Sequence, residues 1–142
     1  MAGALHLAVR TVHVLGMVVL LAGSAAVWAG LRVGDRAAGP LLRQFECVFW
    51  AAMGVMVVTG VGNLGALGAP GPGTRWGAVF TLKLAVVALF VAGSGVRSLA
   101  VFRLRDVDDP DDAVCRRITS SYGATTGALL VVVVLAEVLA HG

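Results

Sequence analysis

Charge is what this chain of 142 residues lacks: Asp, Glu, Lys and Arg together make up 13% of it. That is about half the share in an average soluble domain. With 58% hydrophobic residues and a mean hydropathy of +0.91, there is too little polar surface for a water-soluble fold, and too much ordered apolar sequence for a disordered chain. Cysteine is scarce as well. Cys47 and Cys115 have no CxxC spacing, which excludes a disulfide scaffold and a cysteine-built metal framework. No Walker loop, GxSxG or HExxH motif occurs, so hydrolase chemistry of the soluble type has no support. The net charge of +3 does not point to nucleic acid, because the basic residues sit in short connections between apolar runs, where they report membrane orientation. The class is a multi-pass protein of the cell membrane, whose first partner is the lipid bilayer.

What the chain does have is long hydrophobic runs. A bilayer core about 30 Å thick takes roughly 20 helical residues to cross. Four segments reach that length, at about residues 5–31, 45–67, 76–101 and 121–140. Strands of a membrane barrel are about 10 residues long and alternate in polarity, and these segments do neither. Gly34-Asp35 and Gly39-Pro40, the Gly/Pro run 68–73 and the acidic run around Pro110 break the chain between them. Short connections force antiparallel neighbours. The expected fold is all-α: one transmembrane domain over residues 1–142, an up-and-down bundle of four helices. The first run is expected to stay as a span rather than be cleaved as a signal, since it starts at once, carries Arg10 inside it and exceeds the 7–15 residues of a signal core. Arg32, Arg36 and Arg43 in the first connection, and Arg97, Arg103, Arg105, Arg116 and Arg117 around the third, outnumber the single Arg75 of the second. By the positive-inside rule both termini are extracytoplasmic.

Ionisable side chains inside a membrane are costly and usually functional. His6, Arg10, His13 and Met17 recur at helical spacing on one face of the first span. Lys83 on the third span lies at the depth of His13, on the order of 10–13 Å inside the outer edge at 1.5 Å per residue. Glu137 and His141 lie nearer that edge on the fourth. His6 and His141 also read as ordinary interfacial residues, and Arg10 either snorkels outward or pairs with Glu137. Glu46 and Tyr122 read as residues of the cytoplasmic rim. His13 and Lys83 are too deep to snorkel, with nothing acidic expected at their level. Met17, Met53 and Met56 are soft thioethers that suit Cu(I), although methionine is also a common apolar filler. Gly60/Gly62, Gly93/Gly95 and Gly123-x-x-x-Gly127 read as close-packing positions.

Thr59-Gly60-Val61-Gly62-Asn63, a Gly/Pro loop, then Trp76-Gly77 through Leu82-Lys83-Leu84-Ala85 resemble the copper-resistance D (CopD) family. Val12-His13-Val14-Leu15-Gly16 followed by Trp28-Ala29-Gly30 is similar to that family's opening helix. His13 and Lys83 also resemble the haem-binding His and Lys of the HemJ proteins of protoporphyrinogen oxidation. That resemblance implies a b-type haem held between His13 and Lys83 in the outer half of the bundle, with Arg10 facing a propionate. A haem with both axial positions filled transfers electrons rather than activating oxygen, so a stand-alone enzyme is not expected. The alternative is copper transport or resistance, with His13, Met17, His6, His141 and Glu137 as the metal route. A second alternative is an accessory subunit without cofactor. A redox or transport partner at the outer face and a homo-oligomer are both compatible with the sequence.

Overall fold

A computed structural model describes residues 2–34, 39–67, 73–103 and 111–141, with side chains except at 2, 39, 62–67, 140 and 141. It contains four helices, α1 (Ala2–Val33), α2 (Gly39–Leu67), α3 (Arg75–Arg103) and α4 (Asp112–His141), and no strand among the described residues. All four are long and apolar enough to cross a membrane. The most apolar stretches of α1 and α3 have only 11% of their residues buried inside the protein. Leu5, Val58, Leu89 and Val96 point their side chains outward. Such an arrangement is stable only when lipid covers the outer surface, so the chain is a multi-pass membrane protein.

Local chemistry sets the helix ends. Gly34 takes a positive φ of 96°, the left-handed conformation that stops α1. Thr74 caps α3, its hydroxyl accepting the Gly77 N–H at 3.0 Å while its carbonyl accepts Ala78 N–H. Asp111 caps α4 in the same manner, its carboxylate accepting Ala113 N–H and its carbonyl accepting those of Val114 and Cys115. That cap starts α4 nine residues before the apolar run expected from Ser121. Cys115, Arg116 and Arg117 are therefore helical rather than part of a loop.

Each helix turns one narrow stripe inward: Gly16, Leu20 and Ser24 on α1; Leu42, Glu46, Phe49 and Met53 on α2; Phe90, Ser94, Arg97, Ser98 and Val101 on α3; Ile118, Tyr122, Thr125, Leu129 and Val132 on α4. Contacts such as His13–Thr59, Phe49–Phe90, Trp76–Leu139 and Trp28–Gly123 make consecutive helices antiparallel and close the ring with α1 beside α4. Both termini thus lie at one end, the terminal end. The α1–α2 and α3–α4 connections lie at the other, the loop end. One apolar cluster (Leu20, Phe49, Met53, Phe90, Leu129) fills the middle, and a second (Leu42, Val101, Ile118, Tyr122) fills the loop end. Among the described residues nothing is buried before Gly16 on α1, after Met53 on α2, before Phe90 on α3 or after Val132 on α4. The bundle is packed at the loop end and open at the terminal end.

Close approach depends on fewer glycines than the sequence suggested. Gly93, Gly95 and Gly127 have open space where a Cβ would stand, whereas Gly123 faces Trp28 and Gly60 faces His13. The tightest position is Gly23, where a Cβ would lie 2.5 Å from the Phe45 ring. Gly23→Ala is expected to lower stability by about 1–3 kcal/mol through overpacking. Gly54→Ala, with nothing within 4 Å, is expected to be neutral or to gain about 0.5–1 kcal/mol from helix propensity. Thermal unfolding of both variants in one detergent checks the contrast.

Candidate functional site

Two polar sites occupy opposite halves of the bundle. The first lies in the open half, where α1 meets α2. His13 is half-buried, its ring lying against Gly60 and its Nδ1 2.7 Å from the Thr59 hydroxyl. That hydroxyl also lies 2.7 Å from the Val55 carbonyl. Thr59 thus ties the His13 ring to the α2 backbone. With Nδ1 engaged in this way, Nε2 is the ring nitrogen without a hydroxyl partner, and a hydrogen bond at one ring nitrogen is how a second-shell partner orients a ligating histidine.

One turn deeper, Met56 packs on Gly16, its sulphur 3.0 Å from where a Cβ of Gly16 would stand. Met17, Met53 and Met56 all belong to the central apolar cluster. The seam therefore presents an imidazole followed by three thioethers. Lys83 on α3 is also half-buried. His6, Arg10 and Glu137 are exposed; the side chain of His141 lies outside the described residues. No group of three or more His, Cys, Asp or Glu side chains is placed to hold a metal among the described residues.

The second site is one that the sequence reading put at the rim. Glu46 and Tyr122 are completely buried, and Arg97, counted above with the loop cations, is 2% exposed. Arg97 donates from Nε to Glu46 Oε1 at 2.8 Å and from Nη2 to Oε2 at 3.1 Å. Tyr122 donates its hydroxyl to Oε1, and Ser98 donates to Oε2. Both carboxylate oxygens of Glu46 are thus engaged from α3 and α4, and the Ser98 hydroxyl also lies 2.9 Å from the Ser94 carbonyl. Arg97 Nη1 reaches Thr125, and Trp50 donates to Ser98 at 2.9 Å. The guanidinium is sandwiched between the Phe49 and Tyr122 rings, 4.4 and 4.6 Å from their centroids. The hint in the sequence was the polar spacing Ser94-x-x-Arg97-Ser98 opposite Tyr122-x-x-Thr125, each on one helical face.

With this geometry in view, the comparisons are specific at the family level. The family model for copper resistance protein D matches residues 39–139. That is well over half of the chain, and the chain belongs to that family. The match takes in α2, α3 and nearly all of α4, with the whole ionic network and Met53, Met56 and Lys83; His13 and Met17 on α1 precede it. No curated protein and no solved structure matches the chain.

Removing one partner of a buried ion pair strands the other charge, a loss of about 3–5 kcal/mol. Arg97→Met and Glu46→Met should each destabilise the protein by that order. The Glu46→Met/Arg97→Met double variant should unfold at a higher temperature than either single one. Melting curves on the three variants and the parent, in one detergent, measure this; single variants as stable as the parent would show that water solvates the pair.

Proposed function

We propose that this member of the copper resistance protein D family handles copper at the membrane, receiving Cu(I) in the open half of its bundle. The observation that carries the reading is the fixed orientation of His13. Nδ1 is engaged by Thr59, so Nε2 is the ring nitrogen left to act as a ligand, one turn from the methionine-lined seam. Cu(I) favours soft thioethers with imidazole, and methionine sulphur discriminates for it over Zn(II) and Mg(II). His13 with Met17 and Met56 forms the proposed seat, and Met53 lies deeper in the same cluster. Lys83 supplies no ligand when charged and opposes a nearby cation, so it limits how tightly the ion is held. Read by the positive-inside rule, the remaining loop arginines favour this end facing outside the cell, where His6, Glu137 and His141 would meet the incoming metal.

A second reading rests on His13 and Lys83 as half-buried nitrogen donors on different helices of the open half. In that reading they hold a b-type haem, with Arg10 toward a propionate, for electron transfer to a partner at the outer face. The two readings diverge on Lys83. In a Cu(I) titration against a competing chelator, Met17→Leu and His13→Ala should each weaken binding by roughly tenfold or more, as loss of one of a few ligands does. Lys83→Met should preserve or strengthen it. Were haem the cargo, the reduced-minus-oxidised visible spectrum of the parent would show it. Lys83→Met would then alter that spectrum and raise the potential, because axial-ligand identity sets it. Protein expressed with both supplied that carries neither would reject both readings and leave an accessory subunit.

A further inference from the structure

At the loop end, remote from His13, a cleft of about 440 Å³ opens between the last turns of α1 and the first turns of α4. Arg32 and the Trp28 indole form one wall, and Arg116, Thr119 and Ser120 form the other, with Asp112 at the mouth. Neither the copper seat nor the ionic network uses these residues. We propose that this cleft binds the phosphate of an anionic phospholipid headgroup.

Four features of the cleft support this assignment. Its two guanidinium groups come from different helices and reach a shared cavity, and a guanidinium fork matches the paired oxygens of a phosphodiester. Asp112 offsets one of the two charges, leaving the cleft positive. Its position is also right: Arg32 is one residue from the end of α1 and Arg116 four from the start of α4, so both stand at headgroup level while the apolar helices continue into hydrocarbon. Basic pockets between membrane helices at that level select anionic lipids. The Trp28 indole is held in place from behind, since Gly123 leaves room where a Cβ would lie 2.8 Å from Nε1, and Arg32 lies over the same ring at 5.0 Å. The stacking presets one guanidinium, so less freedom is lost when a headgroup arrives. Interfacial tryptophan is itself suited to the headgroup layer. Finally, Leu31 and the Trp28 indole give the cleft an apolar side next to its cations, as suits a headgroup whose acyl chains stay in the membrane.

The test uses the full chain in a neutral detergent, with native mass spectrometry counting bound lipid. Phosphatidylglycerol should bind on the order of tenfold more tightly than phosphatidylcholine, given two cations at the surface. The Arg32→Gln/Arg116→Gln variant should lose that preference. Arg103→Gln, a cation of the same end outside the cleft, should keep it. Inorganic phosphate at the same concentration should not displace the lipid; displacement would mean that the cleft takes free phosphate, and the lipid assignment would fall. Equal binding of the two lipids by the parent overturns the proposal without any variant. So does an Arg32→Gln/Arg116→Gln protein that still prefers phosphatidylglycerol. If that variant fails to fold, Arg32→Lys/Arg116→Lys keeps the charge but loses the fork, and should reduce the preference without abolishing it.

Discussion

One carboxylate and one guanidinium buried together in an apolar medium constrain the whole bundle. A lone charge at that depth costs at least a few kcal/mol, so each must find its partner and fill every remaining hydrogen-bonding position. Glu46 does so by accepting from α3 twice through Arg97, once through Ser98, and once from Tyr122 on α4. Because these donors have fixed positions along their helices, α2, α3 and α4 have only one register in which all are satisfied. A slide of one residue along any of them would break two or more bonds to an ion. Apolar contacts alone give no such discrimination in lipid, where helix packing lacks a hydrophobic drive. The two aromatic rings that sandwich Arg97 join the polar layer to the apolar clusters above and below it.

The first helix joins by different means. Gly16 and Gly23 admit Met56 and Phe45 of α2, and Trp28 settles into the space left by Gly123 of α4. Shape, rather than charge, places α1. This division of labour matters for the site, because the proposed copper seat lies across the α1–α2 seam and not within the ionically locked trio. The rigid part of the protein supplies Met53, Met56 and Thr59, and α1 brings His13 and Met17 to them.

Hydropathy made the four spans and their up-and-down order legible, because any helix long enough to cross the bilayer must be apolar over about 20 residues. The same criterion hid the ionic layer. An apolar segment is cut where charge begins, so the second span was taken to start at 45, with Glu46 on its edge, whereas α2 starts at Gly39. The fourth was cut at 121 beside Tyr122, although the Asp111 cap starts α4 at Asp112. Moved inward by two turns or more, both residues become interior. Arg97, six residues from the end of α3, was grouped with loop cations for the same reason. Helical spacing did place His13 above Met17. The orientation of the His13 ring was beyond such reading, since it depends on Thr59, 46 positions away in sequence. The packing of Met17 with Met53 and Met56 likewise needed the register between α1 and α2, which no single span contains.

Together the two halves set an open, methionine-lined seam above a packed polar layer. Inward from the open end, the order of side chains is His13, then Met17 and Met56, then Met53, then the Phe49 ring with the Arg97 guanidinium stacked on it. Thioethers suit a soft cation, whereas the layer beneath them is an Arg97–Glu46 ion pair whose charges offset one another and whose hydrogen bonds are made within the protein, so it presents no free ligand. An ion bound in the seam can therefore leave by the end it entered, or by a separation of α2 from α3 that would break the bonds holding them in register. The first course needs no disruption of the fold, so the proposed copper role is one of accepting and releasing the ion at a single face of the membrane.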